Sequence, residues 1–181
     1  MKKVVICLAE GFEEIEAVVP IDLMRRAGIE VTVAGIENTT ITGSRGVKIK
    51  TDGELSEFSE KDFDCIMLPG GLPGATNLAA SWEVNERIIH MFNEGKIVAA
   101  ICAAPAAVLA KTGILQGRKA TCYPGAESFS TDTTFEKKSL VIDGNLITAQ
   151  GPGYASLFGF AVIEALVGAA KAKEVTKEAL F

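Results

Sequence analysis

Histidine is almost missing from this chain: His90 is the only one. The four cysteines, Cys7, Cys65, Cys102 and Cys122, are widely spaced and form no C-x-x-C pair, so no metal site is expected. A basic stripe is lacking too. Lys and Arg number 18 against 23 Asp and Glu, with both signs interspersed and a net charge of −5, which excludes nucleic acid as an expected partner. No apolar run is long enough to span a bilayer: Ile97 to Ala110 is short and contains Pro105, and Tyr154 to Ala170 carries Glu164. The N-terminal run from Val4 to Ala9 ends in Glu10, with more acids behind it, and reads as a first strand with no export signal. Without membrane segments or a disulfide framework, a cytoplasmic chain with reduced thiols is expected. What remains is 181 residues, 48% hydrophobic, a length and composition suited to one domain over residues 1–181.

Strand-like and helix-like stretches alternate along the chain. Lys3 to Leu8 is an apolar strand, and a helix follows it from Gly11–Glu16 to about Ala27, with Gly28 as its stop. Pro20 lies inside that helix and cannot serve the Glu16 carbonyl, which predicts a bend or an irregular start there. Glu30 to Ala34 is a second strand, and Thr39 to Lys50 a hairpin around Gly43-Ser44-Arg45-Gly46. Asp64 to Leu68 is a buried strand that ends at Pro69-Gly70-Gly71, before a helix from about Ser81 to Asn93. Lys119 to Cys122 reads as a short strand, and Glu127 to Thr134 as a loop. Asp143-Gly144-Asn145 turns a hairpin between Ser139 and Ala149. Two helices, to about Val167 and over Ala169–Ala179, end the chain. The pattern predicts a flavodoxin-like, doubly wound α/β sandwich: a mostly parallel sheet between helices, with small hairpin additions.

In such folds ligands sit outside the carboxyl ends of the strands. One stretch there stands out. Ile97 to Ile101 is unbroken apolar strand, and Ala103 to Leu109 is alanine-rich with Pro105 at a first-turn position. The change of period falls at Cys102, which places a thiol on a strand-to-helix elbow where helical N–H groups favour thiolate. The loop after the first strand brings Glu10, Glu13, Glu14 and Glu16 and no Ser/Thr cradle, so it repels phosphate rather than binding it. No acid follows the Cys65 strand, which argues against response-regulator chemistry. Glu16, flanked by Ile15 and Ala17, is the acid best placed to share a proton with Cys102. Glu13 and Glu14 read as exposed acids complementing the helix dipole. Gly70-Gly71 offers backbone donors at the same edge.

Nearly the whole chain resembles the ThiJ/PfpI superfamily, closest to its DJ-one-like branch. The matching motifs are Leu8–Glu16, Pro20–Gly28, Ser44-Arg45-Gly46-Val47, Leu68–Gly71, Ala99–Pro105 and Gln150–Gly153, in the family's order. The resemblance implies a homodimer with Cys102 as an oxidation-sensitive nucleophile, Glu16 as its protonated partner, and Gly71 and Ala103 N–H groups as oxygen binders. It further implies Arg45 and Arg26 as basic residues near the cleft, Arg45 reaching it across the dimer interface. Family activities include cofactor-free glyoxalase, protein deglycase, redox-regulated chaperone and peptidase.

Two departures choose among these. Peptidases of the family carry a histidine directly after the nucleophile, where this chain has Ala103. Many glyoxalase-type members have a second histidine where this chain has Tyr123, a hydrogen-bond donor but a weak general base near neutrality. His90 lies far from the motif on a helix, and strand alternation would turn Cys122 away from a cleft that Tyr123 faces. The expectation is a cofactor-free enzyme acting on small aldehydes such as methylglyoxal. A non-catalytic redox sensor or stress chaperone that forms a sulfinate at Cys102 is the alternative.

Overall fold

The computed structural model describes all of residues 1–181. Strand β1 (Lys3–Leu8) is buried almost throughout, as suits a strand with neighbours on both edges and helices on both faces. It pairs in parallel with β2 (Glu30–Gly35) on one edge and β6 (Cys65–Leu68) on the other. Strand β7 (Ile97–Ile101) continues the parallel set beside β6. Strands β8 (Leu140–Asp143) and β9 (Leu146–Ala149) form the expected hairpin, β9 parallel to β7 and β8 antiparallel at the edge. With the short β5 (Gly53–Glu54), the seven strands run β5-β2-β1-β6-β7-β9-β8. A separate hairpin joins β3 (Thr40–Thr42) and β4 (Lys48–Lys50) through the Gly43–Val47 turn.

Helix α1 (Glu14–Arg26) packs against α5 (Ala155–Val167), which also meets α6 (Ala169–Glu178). Helices α2 (Gly74–Ala80) and α3 (Trp82–Asn93) pack with the turn that follows β7. A contiguous core of 56 buried residues runs through the whole assembly. No helix is long and apolar enough to cross a membrane.

Some local expectations need correction. Lys119–Cys122 is extended but joins no ladder, because the edge of β9 that it would need is taken by β8. Its polar groups go elsewhere: the Thr121 N–H donates to Thr148 Oγ1 at 3.0 Å, and the Ala120 carbonyl accepts from Glu136 N at 2.7 Å. Helix α2 spans only seven residues and lacks a side-chain cap, which hid it in the sequence. Pro20 sits within an unbroken α1, and the carbonyl it cannot serve belongs to the first turn. The segment after the β7 elbow opens as a π turn over Pro105–Leu109 before the short α4 (Ala110–Thr112). Overlapping the start of the expected Glu127–Thr134 loop, Ala126–Phe129 forms a single 3₁₀ turn.

Candidate active site

Cys102 sits at the carboxyl end of β7 with φ +64°, a left-handed conformation rare outside glycine. Main-chain bonds hold it there from both sides. Its N–H donates to Ala149 O on β9 at 2.9 Å, and its carbonyl accepts from Tyr123 N at 2.8 Å. The elbow is therefore fixed by long-range sheet contacts as well as by the helix beyond it.

The loop after β1 closes over this point. Glu13 N donates to Gly70 O at 2.9 Å, Gly11 N to Thr42 O at 2.8 Å, and Ser44 N to Phe12 O at 2.8 Å. Gly71 adopts φ +86°, and a Cβ there would fall 2.5 Å from Glu13 N and 2.6 Å from Gly11 O, so the close approach of the two loops requires glycine. At Gly70 a Cβ would lie 2.6 Å from Cys102 Cβ, 2.8 Å from Glu16 Oε2 and 3.0 Å from Ala103 N. Gly70, expected in the cleft, instead lies behind the thiol, in the gap between Cys102, Glu16 and Ala103.

The first turn of α1 sends three acids to three places. Glu13 caps the helix, accepting from Glu16 N at 2.9 Å. Glu14, expected on the surface, is buried. Its carboxylate accepts from Arg45 N at 2.7 Å, Val47 N at 3.3 Å and Ser44 Oγ at 3.4 Å. Burial pushes the Glu14 carboxyl up, but these donors together hold it below the usual glutamate range. Glu14 thereby ties the β3–β4 turn, and with it Arg45, to the helix. Sequence reasoning missed this role, since nothing in the local sequence separates Glu14 from Glu13.

Glu16 is fully buried, with Oε2 accepting from Gly70 N at 2.8 Å. Burial pushes its carboxyl up to about 7, against hydrogen bonds to Cys102 and Gly70 that favour the charged form. Oε1 has no N–H or O–H partner, which is where a protonated carboxyl would carry its hydrogen. The Cys102 thiol is pushed up to about 12, first by burial, then by the charge of Glu16 and the hydrogen bond to it. The Gly71 and Ala103 N–H groups beside the sulfur act in the opposite direction. The simple expectation that the helix dipole favours thiolate is thus corrected: desolvation outweighs it beside an ionised Glu16. Two of the raising causes are Glu16's own, so a proton on Glu16 relieves the thiolate of that charge while burial continues to oppose it. The two groups therefore titrate as a coupled pair.

Cys102 opens onto a cavity of about 490 Å³. Gly71, Ala103, Arg45 and Tyr123 all line it, as do Leu72 and Phe129, which the sequence did not single out. Arg45 lines the cavity of its own chain. Arg26 does not line it: it lies at the far end of α1, ion-paired to Asp22 at 2.7 Å. Cys122 is buried beside Tyr123, and His90 pairs with Glu94 on the surface of α3. No three His, Cys, Asp or Glu side chains gather as a metal-binding group.

A parallel α/β sheet that presents an elbow cysteine to a buried glutamate and two backbone donors defines a cysteine-centred protein of flavodoxin-like architecture. Comparison with known proteins gives the family: the DJ-1/PfpI family matches residues 2–165, and the chain belongs to it. Drosophila melanogaster dj-1beta is 40% identical over 179 residues, covering 97% of this chain and 95% of that one. Arabidopsis thaliana DJ-1 homolog B is 41% identical over 97% of this chain, which spans only 40% of that longer protein. Among solved structures, oxidized Toxoplasma gondii DJ-1 superposes with a TM-score of 0.95 at 36% identity, covering 100% of this chain and 99% of that one. The family includes cysteine-dependent stress-response proteins and enzymes.

Proposed function

We propose that this protein is a cofactor-free enzyme that converts small 2-oxoaldehydes, and aldehyde adducts of the deglycase type, to 2-hydroxy acids. The observation that carries it is the Cys102–Glu16 pair with the Gly71 and Ala103 N–H groups at an open cavity. With its proton on Glu16, Cys102 adds as thiolate to the aldehyde carbon, and Glu16 delivers that proton to the resulting alkoxide. The Glu16 carboxylate then removes the hydrogen from the former aldehyde carbon and returns it to the neighbouring ketone carbon, while the hydroxyl proton passes to the ketone oxygen. The product is a thioester, which water cleaves to the hydroxy acid and free thiol. One carbon is oxidised and its neighbour reduced, so no external redox partner is needed. The backbone donors of Gly71 and Ala103 stabilise the oxyanions. Ala103 in place of a histidine removes the base that a peptidase would use.

Arg45, at the cavity edge, balances developing negative charge. Four free cysteines suit a reducing, cytoplasmic setting. A second copy of the chain would cover the exposed Ile15 and Val18 of α1 and Leu157 of α5. Lactate formation from methylglyoxal tests the enzyme directly. Wild type should form it, and Cys102→Ser and Glu16→Gln should lose at least about a hundredfold in rate. Equal rates for wild type and Cys102→Ser would remove the proposal.

The alternative use of the same site is sensing by oxidation. A sulfinate at Cys102 would take hydrogen bonds from protonated Glu16, Gly71 N–H and Ala103 N–H, and the Toxoplasma gondii neighbour was solved oxidized. Limited peroxide treatment, read by peptide mass spectrometry, should place oxygen at Cys102. Even oxidation of all four cysteines would count against a tuned site.

A further inference from the structure

Methylglyoxal is a three-carbon molecule, and the cavity in front of Cys102 holds about 490 Å³, the scale of pockets that enclose drug-sized ligands. The surplus has a definite character. Its lining includes Glu13, Ser44 and Arg45 from two loops, and Tyr123, Pro124, Ala126 and Phe129 from one continuous segment. Tyr123 and Phe129 are 49% and 42% exposed, so both rings present unburied apolar area at the cavity.

This apolar wall stands in a fixed position relative to the sulfur. The Tyr123 N–H is bonded to the Cys102 carbonyl itself. Its ring packs against Gly151, where an added Cβ would lie 3.0 Å from Tyr123 Cδ2. From Tyr123 the chain turns at once: Ala126 N donates to Tyr123 O at 2.9 Å, opening the 3₁₀ turn that ends in Phe129. Ser128 Oγ closes on Gly125 O at 3.0 Å, tightening the same turn. The two rings are thus carried on one compact segment anchored to the nucleophile's own backbone.

We infer that the cleft selects 2-oxoaldehydes bearing an aryl or comparably bulky apolar substituent, with the substituent seated against Tyr123 and Phe129. The inference rests on the aldehyde chemistry proposed above and adds its substrate class. For phenylglyoxal, the Cys102 sulfur bonds to the aldehyde carbon, hydrogen moves from that carbon to the ketone carbon through Glu16, and water cleaves the thioester to mandelate. The aldehyde carbon is oxidised, the ketone carbon is reduced, and the thiol is regenerated. Only the substituent distinguishes this from the methylglyoxal reaction, so any preference reads the wall. An aromatic pair with its buried area is worth about tenfold in kcat/KM.

The test measures mandelate from phenylglyoxal and lactate from methylglyoxal with wild type, Phe129→Ala, Phe129→Leu and Cys102→Ser. Wild type should favour phenylglyoxal by about tenfold in kcat/KM. Phe129→Ala should lower that ratio by about tenfold, mainly through the KM for phenylglyoxal, with Phe129→Leu in between. Because Phe129 is partly exposed, its substitution is compatible with the fold, and thermal unfolding of each variant checks this. Wild type that makes lactate but shows no aryl preference, or a Phe129→Ala ratio equal to wild type, overturns the inference and leaves the aldehyde reading standing. Product formation by Cys102→Ser at the wild-type rate, or neither acid from wild type, overturns the aldehyde reading and this inference with it.

Discussion

Replacing Gly70 by alanine puts one methyl group into the space that the thiol, the carboxyl and the Ala103 N–H share. The backbone allows it, since Gly70 is not among the glycines with positive φ. The contacts do not. The new carbon would sit 2.6 Å from Cys102 Cβ and 2.8 Å from Glu16 Oε2. Cβ atoms cannot rotate away, so restoring ordinary contact demands a shift of close to an ångström between β6 and the β7 elbow. Overpacking of this kind costs about 1–3 kcal/mol. Against it, alanine restricts the unfolded chain and returns about 0.4–1 kcal/mol. The net loss, about 1–2 kcal/mol, corresponds to a Tm lowered by roughly 2–8 °C for a chain of this size. Chemistry should suffer more, because a displacement of about 1 Å at a reacting group costs on the order of a hundredfold in rate. Thermal unfolding and the rate of Cys102 alkylation by iodoacetamide, located by peptide mass, measure the two effects separately. A Gly70→Ala protein with wild-type Tm and a wild-type alkylation rate would refute the packing described for this gap.

Glu16, with its carboxyl pushed up to about 7 from 4.5, keeps its proton in the folded state over a range where the unfolded chain has lost it. Stability should therefore fall as pH rises from about 4.5 to 7, by on the order of 3 kcal/mol in all. Glu16→Gln should flatten that slope in denaturant titrations, and an unchanged slope would count against a buried, proton-holding Glu16. Glu14→Ala strips the β3–β4 turn of the carboxylate that accepts from Arg45 N, Val47 N and Ser44 Oγ, and should cost on the order of 2 kcal/mol. Faster hydrogen exchange at the Arg45 and Val47 amides would mark the loosened turn; unaltered exchange would show that Glu14 does not hold it. Wild-type stability should also drop as pH falls below the usual glutamate range, where the depressed Glu14 carboxyl takes up its proton. Cys7 and Cys65 are fully buried within β1 and β6, and neither lines the cavity onto which Cys102 opens. Iodoacetamide should accordingly label Cys102 in the native protein and reach Cys7 and Cys65 only in denaturant; equal labelling of all three would show that the strands open readily.

The strands and the elbow were legible because each is encoded within its own stretch. An apolar run marks β1, β6 and β7, and the change from strand period to helix period falls at Cys102. Glu16 and Gly70-Gly71 could be placed at the same edge because the fold brings successive βα loops together there. What escaped depends on partners distant in sequence. Lys119–Cys122 has the composition of a strand, but its slot was already filled by β8. Glu14 became a buried acceptor only because the β3–β4 turn folds back onto α1. Arg26 and Arg45 both look like cleft arginines, and only the direction of α1 separates them. Phe129 carried no local signal, since its place in the cavity is set by the turn that starts at Tyr123. The protonation of Cys102 was the hardest to foresee, for desolvation depends on everything packed around the sulfur.

The first turn of α1 has one more consequence, for how this sequence can change. Glu13, Glu14 and Glu16 reach a helix cap, a hairpin turn and a thiol from within four consecutive positions. Each residue added to or removed from a helix rotates the side chains on one side of the change by about 100° relative to those on the other. An insertion here would not merely lengthen a loop; it would send each acid to another's destination, leaving the hairpin without its acceptor and the thiol without its proton partner. Substitutions can be tolerated one role at a time in this segment, but a change of length alters all three roles at once.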